Sequence, residues 1–236
     1  MQAPLVVFVP GYMQRGEAWS PVARRVAESY PTLCLDFRTH TFEERLAELA
    51  DAAPPGSAVA GYSMGGRLAL HLAAREPERF AALITVGASA GIDDPGARRA
   101  RREADEVFAD LVESQPIERT VEQWERLPVF AGQPEALIEA QRPGRLSHSP
   151  HELARLLRSA GQGALEPVWD RIPAIAAPLL AIAGERDSAY VAAAERLAAL
   201  APRGRAAAVP GAGHAAHLER PEAVAELVLE ALEPLS

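Results

Sequence analysis

Short apolar runs alternate with helical patterns through the first part of the chain, and this constrains the fold more than any other feature. Leu5 to Val9 is a continuous Val-rich run stopped by Pro10-Gly11. A strand buried on both faces reads this way. Ser20 to Ser29 has helical character, with Ser20 as a candidate N-cap and Pro21 in the first turn. Leu33 to Phe37 reads as a second strand. Thr41 to Ala52 reads as a helix opened by the capping-box spacing Thr41-Phe42-Glu43-Glu44. Ser57 to Tyr62 is a third strand, Met64 to about Arg75 a helix, and Leu83 to Gly87 a fourth strand. Such alternation predicts a mostly parallel, doubly wound α/β sheet with helices on both faces.

From about Asp93 to Asp170 the alternation stops. Ala97 to Glu113, Thr120 to Arg126, Pro134 to Arg142 and Pro150 to Ser159 all carry helical periodicity, the last with Ser149 as a possible cap. Strands and helices then resume: Leu179 to Ala183, Tyr190 to Leu200, a weak strand at Ala206 to Val209, and a helix over Pro221 to Leu232. A helical block interrupting such a sheet predicts a cap inserted between two strands. The expected division is a core of residues 1–90 and 171–236 and a helical cap of residues 91–170.

A length of 236 residues suits one domain with such an insertion. The net charge of −8 argues against nucleic acid as a partner, because the chain would repel phosphates. All 24 basic residues are Arg, whose planar fork holds carboxylates bidentately. The single cysteine, Cys34, excludes a disulfide framework and a cysteine-based metal site, and its apolar neighbours predict a buried structural thiol. No stretch approaches the roughly 18 apolar residues that span a bilayer. The N-terminal segment MQAPLVVFVP lacks a basic region and a long apolar region, so no signal peptide is expected. These features predict a soluble cytoplasmic protein without a membrane partner. Nothing here specifies an oligomeric state.

Gly61-Tyr62-Ser63-Met64-Gly65 is a G-x-S-x-G motif with a strand before it and a helix after it. That context is what a nucleophile elbow requires, since a sharp strand-to-helix turn lifts the serine oxygen above the sheet edge. A serine hydroxyl needs a histidine to take its proton and an acid to orient that histidine. In elbow folds the chain order is serine, acid, histidine. Asp187 follows the strand at Leu179 to Ala183 and is the candidate acid, with Glu185 and Asp170 as alternatives. His214 follows Val209-Pro210-Gly211-Ala212-Gly213 and is the candidate base, with His217 as its competitor. His71, His148 and His151 read as surface or core residues. Backbone N–H groups of Met64 and Tyr12 are the candidate oxyanion hole. Arg67, four residues after Ser63, points to an anionic ligand. Arg98 and Arg101 lie three apart and are expected to share a helix face. Arg142 is a further cap arginine with an ion pair as its plain alternative. Trp124, before Pro128-Val129-Phe130, could wall the pocket.

Gly61-Tyr62-Ser63-Met64-Gly65-Gly66-Arg67-Leu68-Ala69-Leu70 resembles the elbow of the 2-succinyl-6-hydroxy-2,4-cyclohexadiene-1-carboxylate synthases of menaquinone biosynthesis, lyases of the α/β-hydrolase fold. The resemblance continues through Ala90-Gly91-Ile92, Arg98 and Arg101, Trp124 with Leu127 to Phe130, Gly161-Gln162-Gly163, Gly184 to Ser188 and Gly211 to His217, and so covers nearly the whole chain. It implies proton abstraction followed by loss of pyruvate, with neither cofactor nor metal. It also implies catalytic Ser63, Asp187 and His214. A small substrate carrying three carboxylates would be held by Arg67, Arg98 and Arg101, with Trp124 packed on its ring. Two loops depart from the family pattern: Pro10-Gly11 replaces His-Gly, and Asp36-Phe37-Arg38-Thr39-His40 replaces Asp-x-Pro-Gly-His-Gly. The alternative reading is a carboxylesterase that uses the same three residues on small acyl esters.

Overall fold

The computed structural model describes residues 3–233; the outermost residues of the expected core segments 1–90 and 171–236 lie outside them. Six strands form one sheet: β1 (Val6–Val9), β2 (Thr32–Cys34), β3 (Ala58–Tyr62), β4 (Ala82–Val86), β5 (Leu179–Gly184) and β6 (Gly204–Val209). Their order is β2-β1-β3-β4-β5-β6 and every neighbouring pair is parallel. β1, β3, β4 and β5 are buried along their whole lengths, as continuous apolar strands between two helical layers must be. The edge strands β2 and β6 are largely half-buried or exposed. That explains the weak apolar signal of β6.

Helices α1 (Ser20–Val26) and α10 (Pro221–Leu232) pack on one face, where Val22, Val26, Val224 and Val228 join a core with Phe8 and Trp19. Helices α2 (Phe42–Ala52), α3 (Met64–Arg75) and α8 (Ser188–Leu200) pack on the other, through Leu46, Leu49, Leu68, Leu72 and Leu197. Between β4 and β5 the chain makes no strand and runs through α4 (Pro95–Glu113), α5 (Ile117–Glu125), α6 (Glu135–Leu146) and α7 (Pro150–Ala160). A short helix, α9 (Ala216–Glu219), precedes α10.

Several boundaries differ from the sequence reading. The second strand ends at Cys34, three residues before Phe37. Leu35 N–H still donates to Phe8 C=O at 2.9 Å, but the Asp36 carboxylate then turns to accept from Gly16 N–H. Cys34 is half-buried rather than buried, because β2 is an edge strand. α4 starts at Pro95, two residues early, because Asp94 caps it by accepting from Ala97 N–H at 2.6 Å. α6 continues through Pro143 to Leu146, past the expected end at Arg142. Its last turn closes with Ser147 N–H on the carbonyls of Pro143 and Gly144.

Candidate active site

β3 runs directly into Ser63, which sits at φ 48°, ψ −110° before α3 begins. This is left-handed backbone that a non-glycine residue adopts only under constraint. The constraint is visible in its neighbours. Ser63 N–H donates to Val86 C=O at 2.8 Å, and Ser63 C=O accepts from Arg67 N–H at 3.0 Å. Glycine is required on either side. A Cβ on Gly61 would lie 2.5 Å from Gly65 O, and one on Gly65 would lie 2.4 Å from Val9 O. The turn thus presents the Ser63 hydroxyl at the C-terminal edge of the sheet.

Two other loops at that edge converge on it. His214 Nε2 lies 3.2 Å from Ser63 Oγ, and His214 Nδ1 lies 2.7 Å from Asp187 Oδ2. Asp187 sits at the start of α8, where its N–H donates to Gly184 C=O. The alternative acids are engaged elsewhere: Glu185 accepts from Gly211 N–H at 2.8 Å, and Asp170 pairs with Arg171. The competitor His217 is fully buried, with its ring centroid 4.5 Å from that of Trp19 and 4.2 Å from that of Tyr62. Burial, with the nearby His214 adding to it, pushes its pKa down to about 3.

A cavity of about 360 Å³ opens above Ser63, within the size range of small-molecule sites. Tyr12, Met64, Arg67, Arg101, Trp124 and His214 all line it. The rings of Tyr12 and Phe130 lie 5.2 and 5.4 Å from Trp124 and make an apolar wall. Arg67 is 6% exposed. One terminal nitrogen donates to Ala160 C=O at 3.3 Å, and its buried Nε meets no hydrogen-bond acceptor. Burial lowers its pKa. A buried guanidinium with no direct carboxylate partner is costly unless an anion joins it.

Two expected arginines are absent from the cavity. Arg98 lies a turn earlier on α4, beside the segment after α7, and its guanidinium pairs with Glu166 at 3.0 Å and with Ile92 C=O. Arg98 shares the helix with Arg101 but does not join it in lining the cavity. Arg142 forms an ion pair with Glu125 at 2.6 Å. His71 and His148 are held neutral by burial, with pKa values near 4 and 3, and His151 pairs with Glu113.

Three polar lining residues escaped the sequence reading of individual positions. The Tyr190 ring centroid lies 4.6 Å from that of His214. Its place in the first turn of the helix after Asp187 was the available signal. Asp105 binds Arg101 Nε at 2.8 Å, and Gln162 accepts from the Arg101 guanidinium at 3.0 Å. The i, i+4 spacing of Arg101 and Asp105 could have revealed that pair.

The model of the Alpha/beta hydrolase family matches residues 6–227. The chain belongs to this family. Among curated proteins, this hydrolase-family chain is similar to the 2-succinyl-6-hydroxy-2,4-cyclohexadiene-1-carboxylate synthase of Enterobacter sp. (strain 638), with 29% identity over 97% of the chain and 92% of the relative. A Bacillus subtilis (strain 168) protein provisionally given the same name is 35% identical over 73% of the chain, and the match spans 64% of that relative's length. Among solved structures, MenH from S. aureus superposes with a TM-score of 0.91 at 27% identity, covering 99% of this chain and 95% of that one. A thermophilic esterase from Thermogutta terrifontis, with malate bound, follows the same fold with a TM-score of 0.82 at 25% identity, covering 99% and 90%. Among the described residues no helix is long and apolar enough to cross a membrane.

Proposed function

We propose that this chain eliminates pyruvate from an enolpyruvyl cyclohexene tricarboxylate, the step of menaquinone biosynthesis for which its synthase relatives are named. The observation that carries this reading is Arg67: a buried cation without a carboxylate partner, in the same cavity as Ser63. An anionic substrate satisfies it.

In this reading His214 accepts the Ser63 proton and Asp187 holds the imidazole in the tautomer that can do so. The Ser63 oxygen then takes a ring proton. The C–H electron pair becomes a ring double bond, the ring C–O bond breaks, and the leaving enolpyruvate takes the proton held by His214 to become pyruvate, which returns Ser63 and His214 to their starting states. Met64 N–H, at the positive end of α3, and Tyr12 N–H stabilise the developing oxyanion. Each such donor is worth about 10²–10³ in rate. Trp124 packs on the substrate ring and Arg101 stands at the cavity wall. In this reading residues 91–170 act as the cap over a core of residues 1–90 and 171–236, and the enzyme works in the cytoplasm.

Purified protein given the enolpyruvyl substrate should release pyruvate, measured by coupling to NADH oxidation. Ser63→Ala should abolish release, and Arg67→Ala should lower it about 100-fold. Absence of pyruvate would sink the lyase reading. The second reading, a carboxylesterase, draws support from Pro10 in the oxyanion loop and from the likeness to the thermophilic esterase. Hydrolysis of p-nitrophenyl acetate that disappears in Ser63→Ala, without pyruvate release, would select it.

A further inference from the structure

The cavity is lined by two guanidinium groups, but one of them already has a carboxylate. Arg101 Nε donates to Asp105 Oδ1 at 2.8 Å, and its terminal nitrogen donates to Gln162 Oε1 at 3.0 Å. Gln162 is fixed in turn by donating to Ser89 Oγ at 3.0 Å. Asp105 is itself 8% exposed and held from a second side, where Oδ2 accepts from Gly163 N–H at 3.3 Å. The segment after α7 comes close enough for this only because it carries glycine. A Cβ on Gly161 would lie 2.7 Å from Asp105 Oδ2, and one on Gly163 would lie 2.2 Å from Arg102 N. Asp105 is therefore built into the wall on two anchors and cannot swing away from Arg101 without breaking both.

The charges on the wall then count simply. Arg67 and Arg101 contribute two positive charges and Asp105 one negative, which leaves one; the guanidinium without a direct carboxylate partner is that of Arg67, which lies beside Ser63 and feels Asp105 only through space.

We propose that Asp105 is a specificity-determining residue: by holding Arg101 and cancelling its charge, it makes the cavity select ligands through one deep carboxylate at Arg67 rather than through several. This rests on the anionic-substrate reading above. It implies that only one carboxylate of a polycarboxylate substrate is buried against a free cation, the others staying toward the cavity mouth.

Calorimetric titration with cyclohexanecarboxylate and tricarballylate tests the proposal without using the reaction. The wild-type chain should bind the two with dissociation constants within about threefold of each other. Asp105→Asn removes the charge and keeps one acceptor for Arg101 Nε, while its amide nitrogen cannot accept from Gly163 N–H. It should tighten tricarballylate about tenfold and cyclohexanecarboxylate threefold or less. Arg101→Gln alone strips Asp105 of its counter-ion and should weaken both ligands, tricarballylate about tenfold, whereas Asp105→Asn with Arg101→Gln restores a net charge of one and should return the wild-type ratio. The proposal is overturned if Asp105→Asn changes both ligands equally or weakens both, or if the double variant stays as weak as Arg101→Gln alone. Should the wild-type chain bind neither ligand while Arg67→Ala behaves identically, the anionic-substrate reading itself fails, and the proposal with it.

Discussion

His214 and His217 stand three positions apart with opposite surroundings. His214 reaches Ser63 and Asp187 in the cavity, whereas His217 is sealed between Trp19 and Tyr62. The sequence could rank them only by distance from the final helix; the burial that separates them comes from residues far along the chain. Asp187→Asn leaves the shape intact but favours the wrong tautomer, so turnover should fall about 10³–10⁴-fold while the melting temperature stays near that of the wild type. His217 makes a separate prediction about acid stability. Its folded pKa, about 3, is below the unfolded value near 6.5, so the unfolded chain binds the extra proton. Stability from keeping it neutral is complete above pH 6.5 and drains away as pH falls toward the folded value. His217 alone should account for about 2 kcal/mol lost between pH 6.5 and 5. Urea unfolding of His217→Phe across that range should have a visibly flatter slope than the wild type. An unchanged slope would show that the buried imidazole is not the proton acceptor.

At the scale of elements, the turn from β3 to α3 holds Ser63 in strained backbone and by the same geometry presents its hydroxyl. Gly65→Ala would drive a methyl group into Val9 and Pro10 carbonyl oxygens at 2.4 and 2.6 Å. Neither oxygen can yield without moving β1, so the expected cost is about 1–3 kcal/mol. Fluorophosphonate labelling of Ser63 should slow with it, since β1 also leads into Tyr12. Equal labelling of the variant and wild type would separate the strain from the geometry. The same elements explain what was legible. Strands buried on both faces, β1, β3, β4 and β5, have unbroken apolar sequences, and their places were clear. β2 was drawn too long because Leu35 and Phe37 are buried after the strand has ended, so burial kept the apolar pattern while pairing stopped. Ser63, Asp187 and His214 were readable because each follows a strand. Arg98 was expected at the cavity and meets Glu166 instead, because spacing on one helix gives a face but not the neighbour that face meets. Tyr190 and Asp105 were missed for the same reason.

Across the whole molecule, α4 and α7 join the main apolar core through Val112, Leu153 and Leu156, and the helices between β4 and β5 add polar ties: Arg15 to Ser147 at 2.9 Å, Tyr12 OH to Leu153 C=O at 3.1 Å, and Gln133 to Glu219 at 3.2 Å. The α5–α6 layer has a thin apolar base, and the only buried residue of α6 is Arg145. What holds that layer together is Glu125, buried between Arg145 at 2.9 Å and Arg142 at 2.6 Å. Removing one member of a buried pair leaves an uncompensated charge and costs about 3–5 kcal/mol. Glu125→Ala should therefore open this layer locally, because the uncompensated charge belongs to Arg145, on α6 itself. Hydrogen exchange over residues 117–146 should accelerate about 100-fold or more, while exchange in β1, β3 and β4 stays at the wild-type rate. Trp124 and Phe130 ride on this layer and wall the cavity, so the variant should raise KM for an aromatic or cyclic ligand more than it lowers kcat. Equal acceleration in the central strands would mean that these helices unfold only with the sheet, and a cap that opens by itself would have to be given up.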